Sequence, residues 1–387
     1  MRIAASASAD LPALTSLRFF AAAMIFVFHQ HSAGPADWIR AIQPGMYHGV
    51  SFFFVLSGFV LTYAYGGRDF SWRRFYLARV ARLAPLHGFA LLLLLAALPL
   101  AFARGQNLGP SDSLVALTLK AAMLDAWAPV HGFVYSWNSV SWSISVEMGF
   151  YAAFPLLLAA MSRRPLTTLA YAAALSLGVL VAGAAAGLPL FATYPYALTQ
   201  VDLGSCFPPA RGFEFALGMA TCLVWRRWIE PARLPLAAWT AIEAAALAGT
   251  AAWLVLAAPA LVNGAEGVAF VLMRTAGSCW LFALLLAATA GGRGLVGRLL
   301  ATRPLVALGE ASFAFYLVHL IVMRTLDFHF GPHVGMLATF ALAQSLAFLL
   351  HRGVEIPMRR RVLALGEAGM AWRAPAPRAA LSAAPES

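Results

Sequence analysis

Arg18 and His29 stand out in a mostly apolar stretch that begins at Leu14. Eleven residues separate them, about three helical turns, so on a helix both project from nearly one face, roughly 16 Å apart along the axis. Such a face links a permanent cation at one end to an imidazole that titrates near neutrality at the other. His31 points away from that face. A snorkelling arginine and an interfacial histidine would give the same spacing, so spacing alone does not choose between the two readings. Arg79 and Arg82 form a second pair, three residues apart and followed by Pro85. Two guanidinium forks on one face suit phosphate groups, although arginines in such places also serve as plain membrane anchors.

Glu147 follows the polar run Trp137-Asn138-Ser139-Val140-Ser141-Trp142-Ser143 and falls well inside the next apolar segment, with Ser143 one turn earlier. A carboxylate there must face a polar interior, as a structural hydrogen-bond partner or as the orienter of a catalytic group. Arg211 with Glu214, Arg274, Glu310 and His319 are further ionisable residues within apolar segments. These expectations place His29, Glu147, Arg211, Glu214, Arg274 and His319 in one half of a membrane-spanning bundle. Arg18, Arg79, Arg82, Glu310 and Glu355 fall in the other, and Glu355, just before Pro357, reads as a local cap or arginine partner. Ser57 and Gly58, among phenylalanines, read as a close helix contact.

The elements that must carry these residues follow from composition. The chain is 61% hydrophobic and 11% charged, against about a quarter charged in soluble domains, and its apolar runs are long enough to cross a bilayer. Ten are expected: Leu14–Ser32, Val50–Tyr65, Leu83–Phe102, Trp142–Met161, Leu166–Leu188, Gly212–Trp228, Ala237–Ala257, Val268–Ala290, Leu305–Leu326 and Val334–His351. Asp112–Leu124, short and holding Lys120, reads as an interfacial or re-entrant helix instead. The fold class is therefore an all-α, polytopic transmembrane bundle. The net charge of +11 does not point to nucleic acid. Its arginines sit in alternate connections: Arg68–Arg82, Arg163–Arg164, Arg226–Arg233, Arg293–Arg303 and Arg352–Arg361. Ten spans with both termini cytoplasmic satisfy the positive-inside rule throughout, and an eleventh would break it. Residues 1–13 then form a cytoplasmic segment, 14–351 the transmembrane domain, and 352–387 a cytoplasmic tail disordered towards its end. Phe19–Phe28 reads as a retained first span and not a signal core, since His29-Gln30-His31 replaces a small-residue cleavage site. Cys206, Cys222 and Cys279 show no metal-ligand or redox spacing.

Taken in order, Leu17-Arg18 through His29, Phe52–Phe59, Phe75–Pro85, Trp142–Tyr151, Arg211–Gly218, Ser312–His319 and Glu355-Ile356-Pro357 resemble the motif series of bacterial membrane acyltransferase family 3, the OafA/OatA-like O-acyltransferases. The resemblance runs across most of the chain. It implies an acyl-CoA donor, with acetyl-CoA the expected form, and a hydroxyl acceptor on a cell-envelope glycan or other carbohydrate-containing molecule. It also implies a bacterial inner membrane location, and His29 as base or acyl relay. Arg18, Arg79 and Arg82 would hold the CoA phosphates, Glu147 would orient His29, and Arg211, Glu214, Arg274 and His319 would form a substrate-binding or structural polar interior. No metal is needed. No fused extracytoplasmic SGNH-type domain follows the bundle, so either the membrane domain completes transfer alone or a separate extracytoplasmic transferase is a partner. The rival reading is a transporter or flippase with a polar intramembrane path, which explains the buried charges but not a basic cluster at one mouth with the ordered motifs.

Overall fold

The computed structural model describes residues 11–30, 37–103, 113–331 and 334–372. His31 and residues 373–387 of the expected disordered tail lie outside the described residues, as do residues 1–10. Among the described residues there is no strand, only an isolated antiparallel bridge between Val130 and Leu198.

Helices form the scaffold in chain order: α1 (Pro12–Phe28), α2 (Gly49–Tyr65), α3 (Trp72–Ala103), α4 (Trp142–Arg163), α5 (Pro165–Ala185), α6 (Pro208–Val224) and α7 (Leu236–Ala252). Then come α8, the span Gly267–Thr289, α9 (Ser312–Phe330), α10 (Met336–Leu350) and α11 (Ile356–Trp372). Prolines open α1, α5 and α6, where the missing N–H belongs to the unbonded first turn. Among the described residues, eight helices are long and apolar enough to cross a membrane. Two further expected spans are α1, apolar but 17 residues long, and α6, which carries Arg211 and Glu214 in its first half. Each of the ten expected runs thus falls mainly on helical chain, though not always on one helix, and the protein is an all-α multi-pass membrane bundle.

Three details depart from the sequence expectation. The run Leu305–Leu326 is not one helix, because Arg303–Glu310 ends at Ala311 and α9 starts afresh at Ser312. The last span does not stop at His351; it continues through one wider turn, His351–Glu355, into α11. Pro357 comes just after this wider turn; it has no N–H to donate to the preceding turn, and the widened turn lies where that bond is missing. Lys120 is fully buried on the short helix Leu114–Ala121. Its Nζ donates to Asp125 Oδ2 at 2.8 Å and to Val134 O at 2.7 Å, a pairing that pins this segment to the bundle.

The centre is the contact of α2 with α6. A Cβ at Gly58 would lie 2.0 Å from Phe215 O, and one at Gly218 1.9 Å from Val55 O. The reciprocal glycines let the two backbones touch, so the close contact expected at Ser57-Gly58 is present. α1 packs on α2 and α9, and α9 is buried from Ser312 to Ile321. Polar groups on α1 and α9 therefore meet inside the protein.

Candidate functional site

Along α1 the interior divides into two cavities. The first, about 160 Å³, is lined by Arg18 of α1, Ser57 of α2, Arg79 and Arg82 of α3, Glu147 and Tyr151 of α4, Tyr316 of α9 and Arg359 of α11. The α3 helix carries Arg79 and Arg82 one turn apart, as the spacing required. The Arg79 guanidinium lies 5.7 Å from the Phe75 ring centre and 5.6 Å from that of Tyr151, and its Nε has no hydrogen-bond partner among the described residues. The one carboxylate of this chamber is already engaged: Ser57 Oγ donates to Glu147 Oε1 at 3.2 Å, and the Tyr151 hydroxyl donates to the same oxygen.

The second cavity, about 310 Å³, is lined by His29, Tyr47, Tyr135, Trp142, Phe191 and Arg274, and by His131 with Thr199 and Asp202. His29 ends α1, and its hydrogen bonds determine its tautomer. His319 Nδ1 lies 2.7 Å from Tyr316 O, and a carbonyl only accepts, so that nitrogen carries the proton and Nε2 the lone pair. His29 Nδ1 lies 2.9 Å from Ile25 O and 3.2 Å from His319 Nε2, two acceptors, so it is the protonated nitrogen. In the neutral ring the lone pair is then on His29 Nε2. His319, fully buried, fixes this arrangement. Arg274 lies over the Tyr47 ring, 4.2 Å from its centre. His131 Nδ1 donates to Asp202 at 3.1 Å, and Thr199 Oγ1 donates to the other oxygen at 2.7 Å. Burial pushes the Asp202 carboxyl up, and these two donors oppose it.

The two cavities share Val50 and Tyr316 in their walls. The Tyr316 hydroxyl donates to Val140 O at 2.8 Å and lies 2.8 Å from Ser143 Oγ, which fixes the ring in place.

Arg211 and Glu214 line neither cavity. They form a fully buried two-point ion pair, with Arg211 Nη2 2.8 Å from Glu214 Oε1, and Arg211 also binds Ser205 O at 2.9 Å and Ser51 Oγ at 3.1 Å. The pair ties the start of α6 to α2. Replacing Glu214 with Ala would leave a buried guanidinium unpaired, at a cost of about 3–5 kcal/mol. A markedly lower midpoint in thermal unfolding of the detergent-solubilised protein is expected, and an unchanged midpoint would argue against a structural role.

The sequence placed His29, Arg274 and His319 in one half and Arg18, Arg79 and Arg82 in the other; the two cavities separate His29 and Arg274 from the three arginines, while His319 lines neither and sits behind His29. Glu147 is different. It belongs to the arginine chamber, held by Ser57 and Tyr151, and not to the chamber of His29. Trp142, at the start of α4, lines the histidine cavity, and Glu147 lies five residues deeper, about 7.5 Å down the helix. Glu355 accepts from His351 Nδ1 at 2.8 Å. Arg359, Tyr316 and the His131–Asp202 pair were not singled out by sequence. Their only sequence signal was polar character near span ends, which anchors and caps share.

Residues 11–352 match the family model described as an acyltransferase domain. Over 90% of its length the chain is 31% identical to the acyltransferase MdmB of Streptomyces mycarofaciens, of which it covers 92%. It is 27% identical to the putative peptidoglycan O-acetyltransferase YrhL of Bacillus subtilis (strain 168), again over 90% of the chain, but it spans only 55% of that protein. No solved structure matches. The matched family model covers both cavities except for Arg359, and with it the chain belongs to the acyltransferase 3 family, as an O-acyltransferase of the membrane.

Proposed function

We propose that this enzyme moves a short acyl group, acetyl in the simplest case, from acyl-CoA bound in the arginine cavity to a hydroxyl held in the histidine cavity. The observation that carries this reading is that both chambers flank α1, with guanidinium groups at one end, a basic imidazole nitrogen at the other, and only Val50 and Tyr316 common to both walls. Arg79 and Arg82 bind the CoA phosphates with Arg18 beside them, and the pantetheine arm extends along α1 towards His29. Neutral His29 Nε2 takes the acceptor hydroxyl's proton as that oxygen attacks the thioester carbonyl. The tetrahedral intermediate collapses, the C–S bond breaks, and the imidazolium returns the proton to the departing CoA thiolate. Glu147 acts in this scheme on the donor side, through Ser57 and Tyr151, and not as the orienter of His29; His319 takes that part.

The acceptor is a carbohydrate-containing molecule. The rings of Tyr47, Tyr135, Trp142 and Phe191 offer apolar faces to sugar C–H groups, while His131 and Asp202 offer hydrogen bonds to hydroxyls. The name of the Bacillus relative favours a cell-envelope glycan. A separate extracytoplasmic transferase as a partner remains compatible with this scheme. Acyl-dependent release of free CoA thiol by the purified protein tests the reading: a carrier would leave the thioester intact.

The arginine-rich connections support an orientation in which the arginine cavity faces the cytoplasmic side of a bacterial inner membrane and both termini are cytoplasmic. Single cysteines replacing Gly67 and Tyr194 should be labelled from opposite sides by an impermeant reagent, Tyr194 from outside. Labelling of both from one side, or the reverse pattern, would overturn this orientation.

A further inference from the structure

Four guanidinium groups line the arginine cavity, and they come from three separate parts of the chain: Arg18 on α1, Arg79 and Arg82 on α3, Arg359 on α11. None of the four makes a hydrogen bond or a close ion pair with another described residue. Glu147, the single carboxylate lining the chamber, is held by Ser57 and Tyr151, and Glu355 is bound to His351. Unpaired, half-buried cations that face one another repel, and a protein retains such an arrangement where a polyanion neutralises it. Anchoring to lipid headgroups does not explain it, since an anchor arginine turns outward to the bilayer surface, whereas Arg359 turns inward to a chamber shared with three others.

The geometry assigns the groups. Arg79 and Arg82, one turn apart on one helix, present two forks side by side and suit the two adjoining phosphates of a pyrophosphate. A further phosphate on the ribose, away from the pyrophosphate, needs a cation from another element. α11 packs against α3 and brings Arg359 to the same chamber. Resting on the reading of this chamber as the acyl-CoA site, we propose that Arg359 binds the 3′-phosphate of CoA, so that α11 completes the donor site and sets the preference for CoA over donors lacking that phosphate.

The test is calorimetric titration of the purified full chain with CoA and with 3′-dephospho-CoA. The wild type is expected to bind CoA about 10- to 100-fold more tightly, the range for one charge-assisted contact. Arg359→Gln should bind the two alike, at the affinity that the wild type shows for 3′-dephospho-CoA. Arg359→Lys should keep part of the preference, while Arg79→Gln should weaken both ligands together. An Arg359→Gln variant that keeps the full preference, or loses affinity for both ligands equally, would overturn the assignment. Failure of the wild type to bind either ligand would remove the donor reading itself, and this proposal with it.

Discussion

Replacing His29 with Ala is expected to reduce acyl transfer by about 10²–10⁴-fold, the range for loss of a general base, with CoA affinity unchanged. The two properties separate because His29 lines one cavity and the arginines the other. Initial rates of thioester consumption and CoA titration on the same preparation measure both. A rate within a few-fold of wild type would mean that another group takes the proton, and His131, in the same chamber, would be the first to test. If His29 instead carries the acyl group covalently, the loss is larger and a labelled acyl-enzyme accumulates without acceptor. His319 acts through His29. His319→Ala removes one of the two acceptors for the Nδ1 proton, leaving Ile25 O, and should lower kcat with little change in KM. His319→Gln, whose amide oxygen can accept the same proton, should retain more activity, a distinction that a purely structural role would not produce.

Changing Arg79 and Arg82 together to Gln is expected to weaken acyl-CoA binding by two orders of magnitude or more, since hydrogen bonds to charged groups contribute about 1.5–3 kcal/mol each. Folding should survive, because neither side chain is tied into an ion pair with a described residue, unlike Arg211. The affinity should also fall with ionic strength in the wild type and much less in the double variant. Retained donor affinity together with poor membrane insertion would show that the two arginines serve as anchors.

Much of this architecture was legible in the residues alone. The apolar runs marked where the helices lie, because burial in lipid forces backbone hydrogen bonds to close within each segment. Ionisable side chains inside those runs marked the interior, because lipid exposure is costly for each of them. What the sequence could not supply was depth and partnership. Glu147 was placed with His29 because both belong to the same half of the bundle, but five residues of α4 carry it past Tyr316 into the other chamber. Arg211 and Glu214 read equally as substrate-binding or structural, and only their mutual pairing and the bonds to Ser51 and Ser205 favour the structural role. Arg359 was masked by its neighbours: in a row of three arginines past a span end, only packing of α11 on α3 distinguishes the one that turns inward.

The wall between the chambers bears on the energetics of the cell. An energised membrane does about 2.3 kcal/mol of work on each elementary charge per 100 mV, and any continuous aqueous passage would dissipate it. Here the two chambers meet at Val50 and at a tyrosine, Tyr316, whose hydroxyl is bound to Val140 and Ser143. In the proposed reaction the pantetheine arm itself fills this point, and the acyl group leaves it by bond exchange, as one thioester is broken and one ester is made. On the proposed reading, acyl equivalents would leave on the acceptor while CoA, filling the junction, stays on the donor side and keeps that passage from becoming an open leak.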